Sequence, residues 1–283
     1  MKSLELYNIL EKDFMLSDCK DNWSNIQFNQ FVTNNFKARY MGLLADNTDC
    51  VEHVFTAVFP SKNATDFIVK SGITNALLFT HHPMNCDISK IPIFYDIGEQ
   101  EYKMLKERYI SIYTLHTPLD NNGAYSTAIS LGKALEIEYI SDLFLYFGHY
   151  AGLIGKTECK TIDDLQKKLE SVLGHHTVLY KNGTDIINNG FVGLVAGGGN
   201  VATIYEELYK KGINTYITGI GNMKTGYPPA IKAHETAQSN DINILTGTHY
   251  STEKFACIKM IDYFNDIGLS AEFINDIPDF NDM

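Results

Sequence analysis

The sequence predicts an α/β fold, and two observations lead to this prediction. Short apolar runs of strand length alternate along the chain with longer amphipathic segments of helix length, which is the pattern of α/β architecture. The chain has 283 residues, of which 45% are hydrophobic and 20% charged, so it is long enough to bury a sizeable core. We therefore expect one large α/β domain or two smaller ones.

The individual elements follow from the spacing of the apolar residues. Strands are predicted at mainly apolar runs of strand length, which in chain order are Ala76–Phe79, Ile110–Leu115, Phe191–Val195, Thr215–Thr218 and Ile242–Leu245. Helices are predicted near residues 62–71, 98–107, 123–135, 161–173, 201–211 and 252–265. In 201–211, for example, Ile204, Tyr205 and Leu208 share one face, whereas the charged residues take the other.

Composition excludes several classes of function. A formal net charge of −11 opposes nonspecific binding to nucleic acid or to anionic lipid. The five cysteines are scattered and form no CxxC pair, which disfavours disulfides or a thiolate zinc site and favours a reducing cytosol. The charged beginning of the sequence is unlike a signal peptide, and the longest uncharged stretch, 186–205, is broken by asparagines and glycines. We expect a cytoplasmic protein without membrane contact.

Two segments of the chain have similar sequences in similar positions. Gly72–Asn75 leads into one predicted strand and Gly212–Thr215 into another, and each follows a predicted helix. Two related α/β halves would explain this similarity, but so would the ordinary order of helix, glycine and strand, because glycine commonly follows a helix end. Aromatic residues and Gly148 interrupt the helical pattern at 142–149, where we place a domain boundary.

Potential metal ligands follow three of the predicted strands or lie close behind them. These segments are Thr80-His81-His82-Pro83, His116-Thr117-Pro118-Leu119-Asp120 and Gly247–Glu253. Open α/β sheets place their sites at the carboxyl ends of strands. Three imidazoles and two carboxylates exceed what one catalytic ion usually takes from protein, and they suit two divalent ions held side by side. A His-His pair alone means little: His175-His176 precedes a strand, and we interpret it as structural or exposed.

Spacing assigns a role to each candidate. Adjacent residues in extended chain point to opposite sides, so His81 and His82 fit two different ions better than one. His249 and Glu253 are four residues apart near the start of a predicted helix and would share one face. Glu253 can bridge two ions through its two oxygens. Asp120 is a further ligand, whereas His116 is a candidate for proton transfer or substrate contact.

In this order, the Thr-His-His-Pro, His-Thr-x-x-Asp and His-Tyr-x-Thr-Glu segments resemble those of the Nif-three-like proteins, also called GTP cyclohydrolase I type 2 homologues. The resemblance extends through Tyr150–Gly155, Val195–Gly199 and Tyr216–Gly219. It implies metal ligation by His81, His82, Asp120, His249 and Glu253. It also implies a ring-shaped homohexamer and two related α/β lobes, with mixed sheets flanked by helices and the metals in the cleft. The chain resembles the short form, without an inserted central domain. We place the ligand-carrying lobe at 1–141 with 236–283, and the other at 142–235.

The chain departs from that family at positions that bear on catalysis. After Gly219 the family tends to carry an acidic residue and a nearby histidine, but Ile220-Gly221-Asn222-Met223 offers neither. Pro118 and Thr248 also replace the family's usual Asn and Gly. The proposed ligands are all kept, so metal binding is expected, whereas a proton-transfer role for the missing acid does not transfer.

The segment Gly197-Gly198-Gly199-Asn200-Val201-Ala202 matches a GxGxxA dinucleotide fingerprint. No acidic residue follows at the end of the next strand to hold a ribose. We interpret these glycines as a tight turn between strand and helix. Their N–H groups at a helix N-terminus are still suited to a substrate phosphate.

The expected function is that of a metal-dependent hydrolase of a small phosphorylated or nucleotide-like molecule, with two zinc, manganese or iron ions per subunit. Whether the chain is an enzyme stays open at this point. One alternative is a non-catalytic, ring-forming assembly protein that binds partners or nucleic acid and uses metal structurally. Another is metal storage or delivery. Ligand residues look alike in all three.

Overall fold

The structure is a computed structural model that describes residues 1–222 and 228–283. The segment 220–223 differs from the family pattern, and its last residue, Met223, lies outside the described residues. The chain divides into two compact units. Unit 1 comprises Met1–Leu119 and Cys257–Ile277, and unit 2 comprises Asp120–Ala256 and Pro278–Met283.

In the described ranges the strands are β1 (Gly42–Ala45), β2 (His53–Ala57), β3 (Ala76–Thr80), β4 (Asn85–Cys86), β5 (Phe94–Tyr95), β6 (Ile110–Thr114), β7 (Glu138–Tyr146), β8 (His149–Lys156), β9 (Val178–Tyr180), β10 (Phe191–Leu194), β11 (Thr215–Thr218), β12 (Asn243–Thr246) and β13 (Ser270–Phe273). The α-helices are α1 (Ser3–Asp13), α2 (Asn34–Arg39), α3 (Lys62–Ser71), α4 (Glu99–Glu107), α5 (Thr117–Asp120), α6 (Thr127–Ala134), α7 (Ile162–Leu173), α8 (Ala202–Lys210), α9 (Pro228–Ser239) and α10 (His249–Asp266).

Unit 1 is built on a five-stranded mixed sheet of order β1-β6-β3-β2-β13. The strands pair in parallel except β1, which is antiparallel to β6. Every residue of β3 and β6 is buried, as expected for parallel strands covered on both faces. Ser61 caps α3 by accepting the Ala64 N–H, and Gly72 ends that helix in the left-handed conformation. Phe36, Phe55 and Leu78 belong to the buried core of unit 1.

Unit 2 is built on a six-stranded mixed sheet of order β7-β8-β10-β11-β12-β9. Strands β10, β11 and β12 are parallel, whereas β7, β8 and β9 join by antiparallel pairing. One buried cluster contains Leu165 and Leu169 of α7, and a second contains Ile204 and Leu208 of α8. The parallel centre brings the carboxyl ends of β10, β11 and β12 to one edge of this sheet.

The predicted α/β class is confirmed, with mixed sheets and flanking helices. The five predicted strands and six predicted helices all form, and their ends differ by up to four residues from the predicted ones. Helix α10 begins at His249, three residues before its predicted start. The predicted lobes, 1–141 with 236–283 and 142–235, have limits different from the two units and stay a prediction. Within residues 1–222 and 228–283, no helix is long and apolar enough to cross a membrane.

Candidate metal centre

His81 and His82 follow β3 at its carboxyl end, as the sequence predicts. The His81 N–H donates to the Ala57 carbonyl at 3.1 Å, and the His82 N–H donates to the Val58 carbonyl at 2.8 Å. The Thr114 hydroxyl donates to the His81 carbonyl at 3.0 Å. The backbone of both histidines is therefore fixed by the ends of the two neighbouring parallel strands, β2 and β6.

Three imidazoles of unit 1 form a buried cluster, which we call the histidine cluster: His81, His82 and His116. Each offers a ligand nitrogen, and these nitrogens lie within 4.8 Å of one another. Ring centroids are 4.4 Å apart for His81 and His82, 5.1 Å for His81 and His116, and 4.8 Å for His82 and His116. Their exposed fractions are 0%, 1% and 6%. A group of this kind can hold a metal ion.

Contacts with the surrounding chain orient two of these rings. His81 Nδ1 lies 3.0 Å from the Leu115 carbonyl, which can only accept, so Nδ1 carries a proton and Nε2 is the nitrogen suited to a metal ion. His82 stacks on Phe59, with the ring centroids 4.7 Å apart and the planes 16° from parallel. A neutral imidazole held by its other nitrogen is the usual state of a metal-binding histidine.

His116 has two neighbours that no sequence motif indicates, Asp21 and Trp23. His116 Nδ1 lies 2.8 Å from Asp21 Oδ2, and the Trp23 ring meets the imidazole edge-on at 4.9 Å. Burial alone would raise the pKa of the Asp21 carboxyl, but the charge and hydrogen bond of His116, with the Asn22 N–H, hold that pKa below its usual value. Ninety-five residues separate Asp21 from His116 in sequence, and no local pattern signals the pairing.

In unit 2, His249 and Glu253 lie one turn apart at the start of α10. His249 Nε2 is 3.2 Å from Glu253 Oε1, and both side chains are buried. The prediction that these residues share one helix face is confirmed. Asp120 is half-buried and accepts a hydrogen bond from the Thr127 hydroxyl at 3.2 Å.

Gly197 provides the space that Glu253 occupies. Its φ is +64°, and a Cβ there would overlap Glu253 Oε1 and lie 3.1 Å from Cδ2 of His249. The Gly197 N–H donates to the Thr252 hydroxyl at 3.0 Å. Only glycine fits this close approach, which gives the glycine-rich segment between β10 and α8 a packing role beside α10. The sequence interpretation as a strand-to-helix turn agrees with this position.

The segment Pro278–Met283 supports the same helix end. Asp282 Oδ2 accepts the His249 N–H at 2.8 Å, which caps the first residue of α10. Burial raises the pKa of the Asp282 carboxyl to about 7, against the opposing effect of His249. No sequence pattern near Asp282 marks it as a cap for a helix that begins 33 residues earlier.

The second His-His pair behaves as the sequence predicts. His175 Nδ1 contacts the His176 carbonyl at 2.7 Å, and both rings pack against Phe280. Over 1–222 and 228–283, neither residue belongs to a group of potential metal ligands. The donors described above as lying together within one unit are imidazole nitrogens and, beside His249, a carboxylate oxygen. This set suits zinc, manganese or iron, whereas magnesium prefers oxygen ligands.

Comparison with known proteins finds two relatives that carry the same name. A protein of Archaeoglobus fulgidus named GTP cyclohydrolase 1 type 2 homolog is 24% identical over 260 residues, which are 91% of this chain and 95% of the relative. One of the same name from Borreliella burgdorferi is 24% identical over 199 residues, covering 69% and 73%.

The fold is shared with a solved structure, the structural-genomics protein ybgI of unknown function. The TM-score is 0.74 at 20% identity, and 99% of each chain is covered. Residues 30–279 match the model of the family described as Duf34/NIF3 (NGG1p interacting factor 3). The resemblance predicted from the sequence is confirmed, and the chain belongs to the Duf34/NIF3 family.

Proposed function

We propose that this protein binds two divalent metal ions and hydrolyses a small phosphorylated or nucleotide-like molecule. The observation that carries the proposal is the histidine cluster, three buried imidazoles with their nitrogens within 4.8 Å. The buried pair of His249 and Glu253 adds an imidazole and a carboxylate. The names of the relatives from Archaeoglobus fulgidus and Borreliella burgdorferi support a nucleotide-like substrate.

The proposed ligands are His81, His82, Asp120, His249 and Glu253, with Glu253 bridging. His81 would bind through Nε2, because Nδ1 is committed to the Leu115 carbonyl. When bound, two such ions supply Lewis acidity and lower the pKa of a coordinated water towards neutrality. The position of this centre in the molecule stays a prediction of the family resemblance.

The protein's own groups would supply positioning and proton transfer. Burial of the three imidazoles excludes water from their ring faces and strengthens electrostatic interactions at their nitrogens. His116 is the proposed residue for proton transfer or substrate contact, and Asp21 holds its Nδ1 at 2.8 Å.

Metal content per chain tests this proposal, measured by plasma mass spectrometry on untagged protein purified without added metal or chelator. About two equivalents of a transition metal are expected for the wild type. Glu253→Ala should release or loosen both ions, and His82→Ala should lose metal. His176→Ala, from the second His-His pair, is the matched control and should keep the full content. Full occupancy in Glu253→Ala would refute the bridging role, and a folded wild type that takes up no metal would refute the centre.

Catalysis is tested separately, by screening the metal-loaded protein against GTP and bis(4-nitrophenyl) phosphate. Turnover that disappears in Glu253→Ala and persists in His176→Ala would support hydrolysis at this centre. Metal binding at full stoichiometry without turnover of either probe would favour storage, delivery or a structural role.

One observation favours the second candidate function, a ring-forming assembly protein with structural metals. The β7–β8 hairpin forms one edge of the sheet of unit 2 and exposes several large apolar side chains. Leu145 is 61% exposed, and Tyr139, Ile140, Phe147 and Tyr150 are exposed as well. Exposed apolar groups beside an unpaired strand edge are typical of interaction surfaces. They support the homohexamer that the family resemblance implies.

A reducing, cytosolic location stays a prediction from the five scattered cysteines.

A further inference from the structure

We propose that residues 19–33 form a strap that closes access to the histidine cluster in unit 1, with Trp23 as its sealing side chain, and that the strap opens to admit a ligand. That this ligand is a metal ion rests on the proposed function, whereas the cover by Trp23 does not. Residues 19–33 lie between a 3₁₀ turn that ends at Asp18 and helix α2, and they include no helix or strand. A loop of this length without an element of its own is uncommon in a compact domain and is typical of lids over binding sites.

Two side chains of the strap reach the histidine cluster or its immediate surroundings. The Trp23 ring lies edge-on to His116 at a centroid distance of 4.9 Å, and it also packs edge-on against Phe94 of β5 at 5.3 Å. Asp21 Oδ2 lies 2.8 Å from His116 Nδ1. Trp23 is 9% exposed and the Asp21 side chain is 2% exposed, whereas Asn22 between them is exposed. The strap therefore contacts the histidine cluster through an aromatic ring and a carboxylate.

The second half of the strap is fixed to the rest of unit 1. Asp96 Oδ2, in the segment before α4, accepts the Asn29 N–H at 2.7 Å. The Thr33 N–H donates to the Leu44 carbonyl of β1 at 2.9 Å. Hydrogen bonds to two separate parts of the unit make this half the anchor of the strap.

The first half of the strap has weaker connections to the rest of the unit. The Asn22 side-chain oxygen accepts the Ser24 hydroxyl at 2.7 Å, and the Ile26 N–H donates to the Trp23 carbonyl at 3.0 Å, so these hydrogen bonds are local and move with the segment. Because the segment contributes no strand, lifting it breaks no hydrogen bond of the sheet. It separates the two inward side chains from the histidine cluster and leaves the core of unit 1 in place. Openings of this kind cost less free energy than global unfolding.

The burial of the histidine cluster makes an opening necessary. His81, His82 and His116 are 0%, 1% and 6% exposed, so a hydrated ion or a substrate reaches their nitrogens only after a covering side chain is displaced. Phe59, which stacks on His82, follows β2 by two residues and is held beside the sheet. Trp23, in contrast, belongs to the strap and can withdraw without moving a strand.

Histidine labelling by diethyl pyrocarbonate tests the cover without metal. Full-length, chelator-treated protein is labelled, and the rate at each histidine is read by peptide mass spectrometry. Relative to the exposed His176 in the same molecules, Trp23→Ala should raise the labelling rate of His116 by about 10–100-fold, since loss of a buried aromatic side chain shifts an opening equilibrium by about that factor. Trp23→Phe keeps an aromatic ring and should label at a rate close to that of the wild type. Phe67→Ala, the matched control on α3, should leave the His116 rate unchanged. An unchanged His116 rate in Trp23→Ala would overturn the proposal.

A measurement on the wild type decides the proposal even if Trp23→Ala does not fold. Trp23 is the only tryptophan of the chain, so tryptophan fluorescence reports on the strap alone. Acrylamide should quench this fluorescence at urea concentrations below those that reduce the helical circular-dichroism signal, because the strap opens before unit 1 unfolds. Coincidence of the two transitions would overturn the proposal.

Zinc release tests what the opening admits. Transfer of zinc from the loaded protein to an excess of a colorimetric chelator should be about 10–100-fold faster in Trp23→Ala than in the wild type, whereas Trp23→Phe and Phe67→Ala should release zinc at the wild-type rate. Faster labelling of His116 together with an unchanged rate of zinc release would refute the strap as the route for metal. A protein that takes up no zinc would contradict only the proposed function, because labelling and quenching still decide the role of the strap.

Discussion

Replacing Gly197 with alanine adds a single methyl group, yet it should disturb both the stability of the protein and the candidate metal centre. The left-handed φ of +64° costs a residue with a Cβ about 1–2 kcal/mol. The new Cβ would also overlap Glu253 Oε1 and lie 2.7 Å from its Cδ. Overpacking of this kind costs about 1–3 kcal/mol where the neighbour cannot move. The two effects together give a loss of about 2–5 kcal/mol in the free energy of unfolding.

Gly212→Ala is the matched control for that variant. Gly212 has a φ of +70°, and a Cβ there would meet nothing within 4 Å. It lies in the same unit, shortly after α8, so it should lose only the conformational part, about 1–2 kcal/mol. The difference between the two variants therefore isolates the contact with Glu253.

The assay combines urea unfolding of chelator-treated protein with metal content of the protein as purified. If Glu253 stays in place, Gly197→Ala should be about 1–3 kcal/mol less stable than Gly212→Ala. If Glu253 swings aside, the two stabilities converge, but the carboxylate leaves its position and metal content falls. Equal stability together with unchanged metal content would refute the reasoning.

Three further predictions concern stability and assembly. Thr161 caps α7 by accepting the Asp164 N–H at 3.2 Å, so Thr161→Ala should cost about 1 kcal/mol in urea unfolding, and no measurable loss would contradict the cap. Leu145→Asp should reduce the oligomer mass measured by light scattering, whereas the control Ile231→Asp, at an exposed position on α9, should not. An unchanged mass in Leu145→Asp would exclude the β7–β8 hairpin as the interface. Burial raises the pKa of Asp96 above the ordinary 3.8, so the folded state binds its proton more readily than the unfolded chain. The stability of the wild type relative to Asp96→Asn should therefore fall as the pH rises from below 3.8 towards neutrality, and a rise would contradict the burial effect.

The central strands and helices could be predicted from the sequence because burial leaves a clear periodic pattern. Ala76–Phe79 and Thr215–Thr218 are uninterrupted apolar or β-branched runs, and both form strands inside parallel sheets. Strand β7 was missed because its exposed residues mix polar and apolar side chains without alternation. The segment 142–149, interpreted as a boundary, holds the end of β7, a turn with positive φ at Phe147 and Gly148, and the start of β8.

The site was predictable only where its residues belong to short motifs. His249 and Glu253 were recognised by their spacing of four, which a helix converts into a shared face. Asp21 and Asp282 act across 95 and 33 residues, through single hydrogen bonds that depend on tertiary structure. Gly197 appeared in a recognisable glycine run, but its close approach to Glu253 depends on where α10 packs. Sequence spacing does not contain that information.

The position of β13 also affects how the protein is made. This strand completes the sheet of unit 1 by pairing with β2, yet it is synthesised after nearly all of unit 2. At about 5–20 residues per second, β2 waits roughly 10–40 s on the ribosome before its partner emerges. During that interval the apolar edge of His53–Ala57 is open to other chains. We therefore expect fast overexpression to favour inclusion bodies over native protein.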